Sequence, residues 1–354
     1  MGRDGQQRLR AARVLVIGAG GLGSPVLMYL AAAGVGTIGV VDDDVVEVSN
    51  LQRQIIHSSA HQGRSKVASA QAFMHALNPE VEIRQHQFRI AAQNVMSIIE
   101  DYDLVVDGSD NFSTRYLVND ACVLAAKPCV WGSVYQFTGQ ASVFWGGHGP
   151  CYRCLFPEPP PAEYAPNCAE GGVFGAVCGT VGSIQAAEVL KLITGVGEPL
   201  LGRVWSLDMA AGTSRLLNFR RDEDCAVCGE HPTIKTPEVM VASCVVAAPE
   251  LPTITAAELE QQLLKAGDAP DALEVWDIRE DYEWAGGSLP GARLIGSAAL
   301  PSTQPSPEAG GVIIYCQGGV RSARALPALL ARGLSVRHLD GGYLAWRALE
   351  GKKT

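Results

Sequence analysis

The chain has 354 residues, 47% of them hydrophobic and 18% charged, with a formal net charge of −9. That length exceeds one ordinary core and suits two or three domains, and the composition excludes a disordered chain. The acidic balance excludes a sequence-independent nucleic-acid binder, which needs a basic face.

The N-terminal MGRDGQQRLR has no apolar core of a signal peptide, and the longest hydrophobic stretch, Val26 to Val41, is interrupted by Gly34, Gly36 and Gly39. The expectation is a cytoplasmic protein that engages neither nucleic acid nor membrane. Ten cysteines in such a chain point to metal binding or thiol chemistry rather than disulfides, because the cytosol keeps thiols reduced.

From Arg13 to about Phe219 short apolar runs alternate with amphipathic stretches, which predicts βαβ units on a mostly parallel sheet. Strands are expected at residues 14–17, 37–41, 82–87, 104–106, 129–133 and 141–144, and helices at 25–33, 66–77 and 181–193. In the first strand-to-helix turn Gly18, Gly20 and Gly23 have the G-x-G-x-x-G spacing, where missing side chains let backbone approach phosphates at a helix N-terminus. Asp42, ending the second strand, can accept hydrogen bonds from ribose hydroxyls. Both features also fit a nicotinamide cofactor.

The next stretch separates the two readings. Asn50, Arg53, Gln54 and Lys66 follow closely, and hydride transfer has little use for cations that a triphosphate under attack needs. The apolar strand at 104–106 runs into Asp107, Asp110 and Asn111 at its carboxyl end, the crevice side of such sheets. Asp110 can hold Mg²⁺ there, or cap the helix that begins at Phe112.

Cys151-x-x-Cys154 and Cys225-x-x-Cys228 are two knuckle pairs whose four soft thiolates suit a closed, structural zinc site. Cys168 lies in EYAPNCAEGGVFG, a Pro- and Gly-flanked loop; Cys122, Cys129, Cys178 and Cys244, in apolar or small-residue contexts, read as buried structural thiols. Residues 231–252 carry prolines without helical period and read as a linker. A second α/β unit occupies 253–354. In VIIYCQGGVRSARAL, Cys316 follows an apolar strand and precedes a Gly-Gly turn, Arg321 and a helix, an anion cradle around a nucleophile. A phosphatase loop would put five residues between Cys and Arg; only Gln317 to Val320 intervene here, and the smaller loop suits a single sulfane sulfur.

Together GAGGLGS, DDD, SNLQRQ, GRSK and DGSDNFSTRY make residues 1–230 resemble the MoeB/ThiF family of ubiquitin-activating-enzyme-like adenylyltransferases. The resemblance implies a Rossmann-like ATP-binding domain that adenylates the C-terminal Gly-Gly carboxylate of a small ubiquitin-like sulfur carrier. By motif position Gly21 and Asp42 touch the nucleotide, Ser49, Asn50, Leu51, Gln52, Arg53 and Lys66 surround the phosphates, and Asp110 with Asn111 completes the metal and nucleotide site. Arg53 resembles an arginine supplied across a homodimer interface, so a homodimer is implied. Cys168 matches a loop cysteine that attacks the activated carrier carbonyl or resolves an acyl disulfide. Family members carry an Arg-bearing segment ahead of the stretch that is here Gly5 to Leu9, and that contact is not expected from these residues.

With VWDIREDYEWAGGSLPGARLI and HLDGGYLAW flanking the Cys316 loop, the second unit resembles a rhodanese domain, in which the loop cysteine carries persulfide sulfur from thiosulfate or a persulfide enzyme. Ser288 stands where that family usually has His. The fold class expected is thus α/β: a Rossmann-like ATP-binding domain with a four-cysteine zinc site, followed by a smaller α/β sulfurtransferase domain. A zinc-containing NAD-dependent dehydrogenase and a non-catalytic adaptor for a ubiquitin-like protein are the rival readings.

Overall fold

Residues Arg13–Ile17 (β1) open the first sheet, and their alternation explains how one strand serves two cores. Val14 and Val16 join a cluster with Leu27, Leu30 and Val181, while Leu15 and Ile17 join Val105, Tyr116 and Leu117 on the opposite face. The computed structural model describes residues 2–159, 172–238, 251–266, 273–284, 287–307 and 309–350. It divides into two units, Met1–Ser243 and Cys244–Thr354.

In the first unit α1 (Gly2–Ala11) precedes β1, and α2 (Gly23–Ala33), β2 (Thr37–Val41), α3 (Lys66–Leu77), β3 (Glu82–His86), α4 (Val95–Glu100) and β4 (Leu104–Asp107) follow. Then come α5 (Phe112–Leu124), the hairpin β5 (Cys129–Tyr135) and β6 (Thr138–Phe144), α6 (Tyr152–Leu155), α7 (Gly175–Thr194), β7 (Arg203–Asp208) and β8 (Thr213–Asn218). The sheet order is β3-β2-β1-β4-β5-β6-β7-β8, parallel from β3 to β5 and antiparallel beyond. Every residue of β2 is buried, as an interior parallel strand requires, and every residue of the edge strand β8 is exposed.

Helix α7 starts six residues earlier than the hydrophobic pattern predicts, because Gly175, Gly179 and Gly182 weaken the helical signal. Packing overrides that propensity. A Cβ on Gly182 would lie 2.4 Å from Pro25 Cγ, so the glycine is what lets α7 press against α2. By length and composition α7 could cross a membrane, yet it lies against α2, β5 and β6 as a core helix of the sheet.

The second unit comprises β9 (Thr253–Ile254), α8 (Ala256–Ala266), β10 (Glu274–Asp277), α9 (Asp281–Trp284), β11 (Arg293–Leu294) and α10 (Gly296–Ala299). It continues with β12 (Val312–Tyr315), α11 (Val320–Ala331), β13 (Val336–Leu339) and α12 (Gly342–Glu350), and its parallel sheet runs β11-β10-β12-β13-β9. Ile313 and Tyr315 face one cluster with Leu259 and Trp346, and Ile314 and Cys316 face another with Leu326 and Leu329. The central strand β12 therefore delivers Cys316 from within the core.

Candidate functional site

Strand order reverses around β1, with β2 on one side and β4 on the other, and a cleft of about 280 Å³ opens at the carboxyl ends of these strands. Gly18, Gly20 and Gly21 line it. Gly18 has φ +91°, a conformation natural only to glycine, and its N–H donates to Val41 O at 2.8 Å. Gly23 is not among the described lining residues: a Cβ there would lie 1.9 Å from Gly18 O, so it packs the helix start against the turn.

Asp42 lines the cleft and accepts from Ala19 N at 2.8 Å and from Asp44 N at 2.9 Å, which ties the second strand's end to the glycine turn. Lys66, the first residue of α3, has a side chain only 6% exposed and places Nζ 2.7 Å from Asp44 Oδ2. Arg53 also lines the cleft of its own chain, with its guanidinium held by Ser49 O and Asn50 Oδ1 at 3.3 Å. The turn after Val48–Asn50 carries it back beside Gly21.

Among the described residues that line the cleft, Ser49, Asn50, Leu51 and Gln52 are not found; they form the turn from which Arg53 and the buried Gln54 reach it. Asp110 stands exposed on the wall, since Asn111 rather than Asp110 caps α5, accepting from Thr114 N at 2.9 Å. Among the described carboxylates Asp42, Asp43 and Asp44 also approach one another closely enough to share a cation. Burial pushes the Asp107 carboxyl up behind this wall.

Three polar atoms on the cleft wall, Gln54 Oε1, Ser109 Oγ and Arg115 Nε, are buried without a hydrogen-bond partner among the described residues. Buried polar atoms left unpaired are costly, so a polar ligand in this cleft would relieve them. Ser109, Arg115 and the buried thiol Cys178 are cleft residues that the sequence reading did not assign. Arg115 lies in the first turn of α5, just after the Asn111 cap beside Asp110, and that cap-and-first-turn position is the signal that could have placed it there.

Elsewhere in the first unit the four knuckle cysteines converge. Cys151 Sγ lies 3.6 Å from Cys225 Sγ and 3.9 Å from Cys154 Sγ, and Cys154 Sγ lies 3.4 Å from Cys228 Sγ. Sulfurs at the corners of a tetrahedron around zinc are about 3.8 Å apart, and a disulfide would need about 2 Å, so the set fits zinc and not cystine. The donated thiols of Cys151 and its neighbours hold Cys225 well below the ordinary cysteine value, while Cys151 is pushed up. Without a cation the four cannot all be thiolates. Next to them Arg153 makes a buried two-pronged pair with Asp120, both bonds 2.7 Å, joining α6 to α5.

In the second unit Cys316 is 1% exposed, with Sγ 3.7 Å from Ser322 Oγ. Tyr343 N donates to Cys316 O at 2.8 Å and Leu344 N to Gln317 O at 3.0 Å, so the start of α12 holds the thiol loop. Arg321, expected to favour the thiolate, has its guanidinium in a two-pronged pair with Glu283, at 2.7 and 2.6 Å. Sequence spacing missed this because Glu283 lies 38 residues away on α9. Behind the loop Arg279 bonds Asp277, Gly287 O and Gln317 Oε1, and Tyr315 donates to Asp277 at 2.6 Å. Cys168 and Cys244 lie outside the described residues.

The model of the ThiF family matches residues 1–227, more than half of the chain. The chain belongs to the ThiF family. A rhodanese-like domain matches residues 255–349. A probable adenylyltransferase/sulfurtransferase MoeZ of Mycobacterium tuberculosis is 48% identical over 354 residues, covering 98% of this chain and 89% of that one. The adenylyltransferase and sulfurtransferase MOCS3 of Bos taurus is 40% identical over 98% of this chain and 83% of its own. A sulfur carrier protein adenylyltransferase of Thermus thermophilus is 52% identical over 66% of this chain and 88% of its own. Among solved structures Escherichia coli MccB with ATP has a TM-score of 0.58 at 24% identity, covering 64% of this chain and 69% of that one, a likeness of fold alone.

Two outcomes follow for this ThiF-family chain. Metal analysis after desalting should find about one zinc per chain, and Cys225→Ser should lower that content and the melting temperature, because the ligands tie α6 to the segment after β8. Folded protein free of zinc would remove the assignment. In the rhodanese-like unit Gly342 has φ +58°, and a Cβ there would lie 2.3 Å from Cys316 O and 2.6 Å from Gly319 N. Gly342→Ala must therefore displace the thiol loop, at a cost of about 1–3 kcal/mol, with sulfur uptake read by intact mass falling at least about tenfold.

Proposed function

We propose that this chain uses ATP to adenylate the C-terminal Gly-Gly carboxylate of a small ubiquitin-like sulfur carrier, then replaces the activated oxygen with sulfur from a Cys316 persulfide. The observation that carries this reading is the presence, in one chain, of a glycine-turn cleft holding Arg53 and Lys66 and a strand-end thiol in a rhodanese-like loop. The relatives named for both activities span nearly the whole chain. A homodimer and a cytoplasmic location belong to the reading on family resemblance alone.

In the first step a carrier carboxylate oxygen attacks the α-phosphorus of ATP and pyrophosphate leaves. Gly20 and Gly21 give backbone to the phosphates, Asp42 receives ribose hydroxyls, and Arg53 and Lys66 meet the charge that develops on phosphoryl oxygens. Lys66, which lines the cleft, must exchange Asp44 for phosphate. Asp110, with Asn111 beside it, would hold Mg²⁺, which when bound neutralises part of the triphosphate charge. Zinc at the four cysteines would be structural.

In the second step the Cys316 thiolate attacks the outer sulfur of thiosulfate or of a donor persulfide, that S–S bond breaks, and sulfite or the donor thiolate leaves with the electron pair, so that Cys316 Sγ carries one extra sulfur atom. The terminal sulfur of that persulfide attacks the acyl adenylate carbonyl and AMP departs, leaving carrier and Cys316 joined through an acyl disulfide. A thiol, by motif position Cys168 or an external one, attacks Cys316 Sγ, frees the thiocarboxylate and becomes half of a new disulfide. Candidate carriers incubated with enzyme, ATP and thiosulfate should change mass by one oxygen-to-sulfur exchange, with stoichiometric AMP release. A carrier unchanged while ATP is turned over would overturn the reading.

A further inference from the structure

Between the glycine turn and α3 lies a buried hydrogen-bond chain that none of the steps above uses. His57 Nε2 is 2.9 Å from Ala19 O, His57 Nδ1 is 2.9 Å from Ser69 Oγ, and His61 Nδ1 is 2.9 Å from the same hydroxyl. His57 is 7% exposed and Ser69 fully buried. A carbonyl can only accept, so Nε2 of His57 carries hydrogen and donates to Ala19 O. Neutral imidazole then presents Nδ1 as acceptor, the Ser69 hydroxyl donates to it, and His61 Nδ1–H donates to Ser69. The chain runs one way, from His61 to the glycine turn.

Ala19 is the one residue with a side chain in the run Gly18-Ala19-Gly20-Gly21, where glycines make an unliganded loop costly to order. Both of its peptide groups are pinned: Asp42 takes the N–H at 2.8 Å and His57 binds the carbonyl. In a trans peptide the carbonyl of Ala19 and the N–H of Gly20 point in opposite directions. Binding Ala19 O from the buried side therefore turns the Gly20 N–H away from His57, which does not line the cleft, and toward the side that Gly20 does line.

We propose that His57, fixed by Ser69 and His61, is a positioning residue that orders the glycine turn before the nucleotide arrives. The proposal rests on the nucleotide reading of the cleft. Burial holds His57 below the ordinary histidine value, and Lys66 opposes its charge while Asp42 favours it, with His61 the remaining titratable neighbour. The neutral ring that the chain requires is thereby favoured, and the Ala19 carbonyl selects its tautomer.

Calorimetry with ATP on the full chain, and ATP–pyrophosphate exchange with carrier, test it. His57→Ala should weaken ATP binding and raise KM for ATP by about tenfold with kcat little changed, the effect of losing preorganisation. His57→Gln, which keeps a donor for Ala19 O, should recover most of that loss, and Ser69→Ala should lose about two- to threefold. These two variants carry the test if His57→Ala does not fold. Unchanged ATP affinity in His57→Ala, or His57→Gln as impaired as His57→Ala, would overturn the positioning role. Failure of the wild-type chain to bind ATP at all would overturn the nucleotide reading, and this proposal with it.

Discussion

Cys316→Ala should abolish sulfur uptake from thiosulfate or a persulfide donor and leave ATP–pyrophosphate exchange at the wild-type rate. The substitution removes one sulfur atom from the end of β12, where the side chain packs among Ile314, Leu326 and Leu329, so the core loses little. Cys316 belongs to the second unit, and the described residues that line the cleft belong to the first. Intact mass after incubation with donor reads the adduct, and thiocarboxylate on the carrier reads its transfer. A variant that still gains sulfur and makes product at the wild-type rate would end the coupled mechanism. Arg321→Ala and Glu283→Ala should each reduce uptake partially and, because the two side chains act as one pair, the double variant should be no worse than either alone.

Lys66→Ala and Arg53→Ala should each lower ATP–pyrophosphate exchange on the order of 10³-fold, the scale expected when a cation facing developing phosphoryl charge is lost. The fold should survive both changes. Lys66 pairs with Asp44, whose side chain is 66% exposed, so removing the lysine returns that carboxylate to water rather than stranding it in the interior. Arg53 is held by a backbone carbonyl and Asn50 on a surface turn. Circular dichroism and zinc content would confirm an intact first unit, and wild-type exchange in either variant would remove that residue from the phosphate site. Asp110→Ala should also lose exchange, and most at low Mg²⁺ if the carboxylate holds that ion.

Much of this was readable in the residues because the signals are local. Thr37–Val41 and Lys66–Leu77 form where the pattern places them, since a buried strand and a capped helix are written in consecutive side chains. The Gly18 turn and its Asp42 partner follow from strand–turn–helix chemistry, and paired C-x-x-C spacing announces a metal cluster whose two halves lie 74 residues apart. Short-range rules end there. That Arg53 turns into its own chain's cleft, that Ser49 to Gln52 do not, and that Arg115, Ser109 and Cys178 do, depends on how a turn, two helices and a strand end meet. The Glu283–Arg321 pair and the His57–Ser69–His61 chain likewise exist only because packing brings distant groups within hydrogen-bond reach. The sequence by itself determined the two α/β units, the glycine turn, the four zinc-type thiols and the strand-end Cys316, because each is specified by neighbours along the chain. Tertiary structure alone decided which way each polar side chain points and with whom it pairs, because hydrogen bonds and ion pairs act over about 3 Å in space, whatever the separation along the backbone.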